Sequence, residues 1–532
     1  MGALFLCLFG LLGLVWNAFR RSSRFRAGFK FCAVTAAALC FAVFLFTYPP
    51  DHDEIEHASA AWHVSQGLLP FNDFFQHHSP MLYILYAPLY RIPIVTAHPV
   101  ESVRLISGLL SLGLFLLLVR MAKTVWKDSG TFWSVTILFL GNFLNLQLFN
   151  MRPDLPAALC NLAALWILLR RGKTADFFPS GLLLGFGLSL SPKYMPYLLM
   201  APVFMLLERQ GWKSALRMMT AHAAGIAAGL LPLFIWLTAN GLLDAFRLWV
   251  FDFNAHRITT GAALFGGSVQ VIPAFFGAWG CLRLLRCARR PVAGTASGDN
   301  AGTMVRSGRL LAVFAVLSVL VYLKPSRTHY EYYQQMFVLT AIVAAAGPLA
   351  SLFRNWAADR RAVLAGLLTG VILWSGIHAA QRYIRMGLYE QVAGSIRTLK
   401  TLAGDDPVVC TTPEHPVTNR NAAYISTGWQ YVFCLGDPLI RGRLADIGAD
   451  IRNRRPSVII NRFLTWPEGG DFPERLRRRG FLPETEAADL RLYLESHYTL
   501  VPVRQIEYWV RNDRVPDHLI EDRARDDSAG GA

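Results

Sequence analysis

The run FCAVTAAALCFAVFLFTYPPDHDEIEH, residues 31–57, joins an uncharged apolar stretch to a knot of acids, and the rest of the chain is read outward from that junction. Phe31–Tyr48 is nearly as long as the roughly 20 apolar residues that cross hydrocarbon as a helix. Asp51, Asp53, Glu54, Glu56 and Asp73 follow, and no Lys or Arg occurs between Lys30 and Arg91. Carboxylates placed where an apolar helix meets water, without basic neighbours in sequence, are costly to keep without a use. The stretch therefore reads first as chemistry. On a helix, Asp53, Glu56 and His57 share a face. The bland alternative is a solvated helix start whose acids suit the helix dipole.

The 532 residues are 53% hydrophobic and 17% charged, which excludes an ordinary soluble enzyme and a disordered chain. Apolar runs of spanning length recur until about residue 380 and then cease. This predicts an N-terminal apolar segment with a basic loop (1–30), a polytopic helical domain (31–380) and a C-terminal exported α/β domain (381–532). The net charge of +16 does not indicate nucleic acid, because from Arg382 onward 21 basic residues balance 21 acidic ones. The excess lies in short loops between apolar runs, and no basic stripe with interleaved aromatics is present.

Loop charge sets the orientation. The loops Arg20–Lys30, Arg120–Lys127, Arg170–Lys173, Arg209–Arg217, Arg283–Arg309 and Arg354–Arg361 hold 23 Lys or Arg, and the intervening loops hold eight. The first set is expected in the cytoplasm and the second outside. The spans required are near 31–48, 103–119, 131–149, 155–169, 180–192, 194–208, 218–238, 261–282, 310–323, 334–353 and 362–379. With Met1–Phe19 as a possible further span, the count is 11 or 12. Ser79–Pro93 is too short and proline-interrupted for a span and reads as an interfacial helix; Gly241–Arg257 reads as an interfacial helix or lid.

Several outward positions carry chemistry-bearing residues. Gln76-His77-His78-Ser79-Pro80 offers imidazole donors to a phosphate oxygen, although adjacent histidines match no tight metal spacing such as HExxH. Asn150–Asp154 places Arg152 and Asp154 in a minimal turn, where they serve a site or merely pair with each other. Lys193, Lys324 and Arg327 are outward cations that run against the charge bias. An anionic headgroup supplies a reason for them, since Arg offers a fork to phosphate and Lys a point charge. His329, Tyr330, Tyr332 and Tyr333 complete the last loop, where interfacial anchoring is the plainer reading of the tyrosines. No P-loop, GxGxxG after a strand or GxSxG is present.

Asp53-Glu54 after the first span, His78-Ser-Pro80, Arg152-Pro-Asp154 and His329–Tyr333 occur in this order. The pattern resembles the GT-C superfamily of membrane glycosyltransferases, in its protein O-mannosyltransferase and lipid A aminoarabinose-transferase branch. The resemblance covers roughly residues 31–380. It implies transfer of a sugar from a polyprenyl-phosphate carrier to a lipid, glycan or protein acceptor on the outer face of a membrane, in a bacterium the inner membrane. It also implies that Asp53 is the catalytic acid of the first loop with Glu54 beside it, that Asp154 is the second-loop acid, and that the late basic loop faces the lipid phosphate. Where many bacterial members have Lys-Pro-Pro or His-Pro-Pro, this chain has His78-Ser79-Pro80, so His77 or His78 stands in for the usual phosphate contact. The phosphate leaving group carries its own charge, so no metal or cofactor is required.

The rival class is a transporter or lipid-carrier flippase that uses the same carboxylates as ion sites. It expects ionisable residues near mid-span, whereas these lie at span ends. In the C-terminal part, Pro407–Thr411, Ser457–Asn461 and Leu500–Val503 read as strands, and Gln391–Leu402 and Ile440–Asn453 as helices. Leu490–Arg511 alternates like a closing hairpin. Cys410 and Cys434 form a disulfide or remain two buried thiols.

Overall fold

The structure is a computed structural model. It describes residues 51–128, 130–143, 146–170, 173–207, 211–256, 277–283, 308–318, 335–355, 388–410, 417–420, 447–461, 471–478, 482–503 and 506–516. The expected spans at 31–48 and 362–379 lie outside these residues, as does most of the span at 261–282 and the end of that at 310–323.

The chain divides into two compact units. One comprises 1–48, 104–239 and 259–385; the other comprises 49–103, 240–258 and 386–532. Two of the loops expected to face outward, the first one and most of 239–260, thus fall in the same unit as the C-terminal segment.

In the second unit, α1 (His52–Ser65) begins after Asp51, whose extended backbone forms its N-cap. It is followed by α2 (Met81–Tyr86), which runs into a 3₁₀ turn at Ala87–Arg91. Tyr83, Tyr86 and Tyr90 recur at helical spacing and are all buried. The predicted helix over Ser79–Pro93 is therefore present, broken by its prolines into short pieces.

The first unit is helical. Its principal helices are α3 (Pro99–Trp126), α4 (Thr131–Phe143), α5 (Asp154–Arg170), α6 (Thr174–Leu190) and α7 (Trp212–Ala239), with α8 (Gln335–Asn355) later in the chain. Among the described residues, α3 and α7 are long and apolar enough to cross a membrane. On α3, Leu105, Leu109, Leu112 and Leu116 form an exposed stripe at spacings of four, three and four. An apolar outward stripe of that length suits hydrocarbon better than water.

Helices α6 and α7 pack through small residues. A Cβ added at Gly181, Gly185, Gly225 or Gly229 would strike the backbone of the facing helix. Each helix therefore presents a Gly-xxx-Gly pair, which lets the two backbones close to a distance that only glycine permits. Polar groups bridge other helices: Trp126 Nε1 donates to Val343 O at 2.9 Å, and Tyr197 OH meets Ser318 Oγ at 2.7 Å.

In the C-terminal segment, α9 (Leu388–Ala403), α10 (Ile447–Arg454), α11 (Phe472–Arg478) and α12 (Glu484–His497) accompany a four-stranded sheet. Strands β1 (Val408–Val409), β2 (Val458–Ile460), β3 (Tyr498–Val503) and β4 (Ile506–Arg511) lie in the order β1-β2-β4-β3, with β1–β2 parallel and the other pairs antiparallel. One expectation is corrected. Leu490–Arg511 is not a hairpin throughout, because its first part belongs to α12. Leu490 and Leu494 are four apart and both fully buried, so the helical period won over the alternating one. Cys410 is buried just after β1, and Cys434 lies outside the described residues.

Candidate active site

The first cluster stands on α1. Asp53 and Glu54 occupy its first turn, where the helix dipole favours anions. The start of this helix is nonetheless not a solvated one. Glu54 and His57 are completely buried, Glu56 is 7% exposed, and Asp53 alone among the acids of the helix stays half-buried. The tyrosines of the following segment form part of the floor. His57 Nδ1 lies 2.9 Å from Tyr83 OH. Burial, then the charges of Glu56 and Asp53, pushes the Tyr83 phenol well up from its ordinary range, so it keeps its proton and can donate to His57. Burial, then Glu54, acts on Tyr90 in the same direction.

The loop before α2 brings both histidines to this face. Gln76 Oε1 accepts from the backbone N–H of His77 at 2.9 Å and of His78 at 3.2 Å, curling the loop over its own side chain. The two imidazoles then lie 4.0 Å apart between centroids, and His78 meets His57 edge-on at 4.9 Å. His77 Nδ1 is 3.9 Å from Glu56 Oε1. The segment 243–256 packs here too, as a short helix (Leu243–Phe246), a π-helix (Arg247–Asp252) and a last α-helical turn (Phe253–His256). Asn254 Nδ2 donates to His77 O at 2.8 Å, and Trp249 and Phe253 enclose the ring of Phe75. Sequence reading quoted Glu56 and His57 only as neighbours of Asp53 and missed Asn254 altogether. The helical spacing of Asp53, Glu56 and His57 was the available signal for the first two; for Asn254 there was none.

The second cluster belongs to the other unit. Asp154 opens α5 and is 4% exposed. Lys193 Nζ lies 2.5 Å from its Oδ1, Arg152 Nε lies 3.7 Å from its Oδ2, and Ser191 Oγ donates to Oδ1 at 3.4 Å. Sequence reading held that Arg152 and Asp154 might pair only with each other; the structure adds Lys193, which arrives from the turn after α6. One carboxylate thus faces two cations. Lys324, Arg327, His329, Tyr330, Tyr332 and Tyr333 lie outside the described residues.

Residues 77–237 match the family described as dolichyl-phosphate-mannose-protein mannosyltransferase. The fold is similar to the crystal structure of ArnT from Cupriavidus metallidurans in the apo state, with a TM-score of 0.57 at 12% identity over 91% of this chain and 98% of that one. The likeness shows an ArnT-like fold. The structure of the same ArnT bound to undecaprenyl phosphate gives a TM-score of 0.58 at 12% identity, covering 92% of this chain and 99% of that one. A comparison with curated proteins found no match. The resemblance to the protein O-mannosyltransferase branch, expected over roughly residues 31–380, is met by the family match over 77–237, and the ArnT-like fold extends over 91% of the chain. The family match begins at His77, inside the loop that faces α1, and takes in Arg152, Asp154 and Lys193.

Proposed function

We propose that this chain is an integral-membrane glycosyltransferase. It moves a sugar from a polyprenyl-phosphate carrier to a lipid, glycan or protein acceptor on the outer face of the membrane, with 11 or 12 spans in all. The observation that carries the reading is the contrast on α1. Glu54, Glu56 and His57 are withdrawn from solvent, while Asp53 remains half-buried at the helix start and accessible to an acceptor. The GT-C fold, the family match and the apolar outer face of α3 support it.

In the proposed single displacement the acceptor oxygen attacks the anomeric carbon while the bond from that carbon to the phosphate oxygen breaks. The acceptor proton passes to the Asp53 carboxylate, and the electron pair leaves on the polyprenyl phosphate. The configuration at the sugar inverts. Glu54, beside Asp53, holds the local field negative and keeps proton transfer favourable. Arg152 and Lys193, with Lys324, Arg327 and the last loop, supply cations that favour the anionic carrier. Asp154 thereby positions its two cations. The leaving phosphate bears its charge unaided, so the reaction itself asks for no cofactor.

The test is a transfer assay in nanodiscs, with labelled polyprenyl-phosphate sugars and an envelope extract as acceptor. Loss of a general base costs about 10²–10⁴-fold, so Asp53→Asn should fall by that much. Equal transfer by both proteins removes Asp53 from the chemistry, and transfer with retained configuration removes the single displacement.

A further inference from the structure

Glu56, His77 and His78 each offer one ligand atom, and all of these atoms lie within 4.8 Å of one another. The group joins two elements that are separate in sequence. Glu56 comes from the second turn of α1, while the histidines come from the loop ahead of α2. Adjacent histidines cannot both reach one ion from a helix face, but here the backbone is a loop. Gln76 Oε1, by taking the N–H groups of both His77 and His78, bends it so that the imidazoles sit side by side.

The surroundings hold the donors in place. Asn254 fixes the carbonyl of His77, Phe75 and Phe253 flank its ring, and His57, tied to Tyr83, stands edge-on to His78. Such support around a donor set restricts ring orientation, as it does around bound metals. Glu56 and His77 are both 7% exposed, so the donors are largely dry.

We propose that Glu56, His77 and His78 bind a divalent transition-metal ion of the zinc class, which clamps α1 to the 71–80 loop. Two imidazoles and one carboxylate form a borderline donor set that suits zinc and is poorly matched to calcium or magnesium, which take oxygen ligands. Zinc bonds of about 2.0–2.1 Å put tetrahedral donors about 3.4 Å apart, so small side-chain rotations close the group. Three protein ligands leave a fourth position for water or an anionic oxygen. The inference stands on the loop geometry and is independent of the assignment of Asp53.

The test reads metal and not transfer. Full-length protein without a polyhistidine tag is loaded with zinc in detergent, dialysed and assayed for bound metal, beside Glu56→Gln and a His77→Gln/His78→Gln variant. About one zinc per chain in the wild type, reduced at least tenfold in affinity in each variant, is expected. No retained zinc in the wild type, or equal zinc in the variants, overturns the site. Cobalt(II) added to the wild type supplies a check that needs no variant to fold. Intense visible d–d bands of a four-coordinate nitrogen and oxygen site are expected, and the weak spectrum of the hydrated ion would refute it.

Discussion

Lys193 Nζ approaches Asp154 Oδ1 to 2.5 Å, and the side chains are 14% and 6% exposed. The pair unites the start of α5 with the turn after α6, positions 39 residues apart. Its burial decides its weight, since exposed ion pairs contribute about 0–1 kcal/mol whereas breaking a buried one leaves a stranded charge. Lys193→Met should therefore destabilise the protein by about 3 kcal/mol. The double change Lys193→Met/Asp154→Asn should recover only part of that, because it removes the carboxylate charge but also takes that carboxylate from Arg152. Thermal unfolding of the single and double variants forms a cycle that isolates the pair. Additive losses would show that the two residues act separately.

The Gly-xxx-Gly contact between α6 and α7 should be intolerant of any side chain. Gly185→Val places its Cβ against the carbonyl of Ile226, where nothing but backbone can give way. Overpacking of this kind costs about 1–3 kcal/mol or more. Gly211→Ala meets nothing within 4 Å and should be silent. Detergent-resistance melts would decide the matter, and equal melting of the two variants would remove the helix contact as the cause.

Asn254 should hold the 243–256 segment to the first loop. Its amide donates to His77 O at 2.8 Å and also lies within reach of Val250 O at 3.1 Å and Trp249 O at 3.2 Å in the π-helix. Losing such a bond costs about 0.5–1.5 kcal/mol, so Asn254→Ala should speed amide exchange at residues 245–256 and 74–78 together by about threefold to tenfold. Exchange faster in one segment alone would show that the two are not fastened by this residue.

Glu474 yields a pH dependence. Hydrogen bonds from Arg477, then Arg478, hold its carboxyl down from the ordinary 4.5 to about 2. A depressed carboxylate stabilises fully above its unfolded value and loses that effect as pH falls towards its folded one. The gap in unfolding temperature between wild type and Glu474→Gln should be constant from pH 7 to about 5 and narrow below about 4.5. A gap that widens with acid would contradict the sign.

Much was legible in the chain before it folded. Long apolar periods on α3 and α7 and the strand-forming runs of β1 and β2 follow from local pattern, because each residue of those elements obeys the same period. Asp53 could be singled out because an acid at the end of an apolar span is anomalous wherever the chain goes next. The same local logic misread Leu490–His497, where alternation and helical spacing coexist and only the burial of Leu490 and Leu494 chose between them.

Tertiary structure alone decided the partners. The sequence placed Arg152 and Asp154 together but could not bring Lys193 across from a turn 39 positions later. It set His77 and His78 side by side and put Glu56 on a helix, while their convergence needed a loop bent by Gln76 and seated by Asn254. Composition and periodicity fix which residues are buried and which elements form, since those depend on neighbours along the chain. Which charges meet depends on where the loops return, and that is set by packing among elements far apart in sequence.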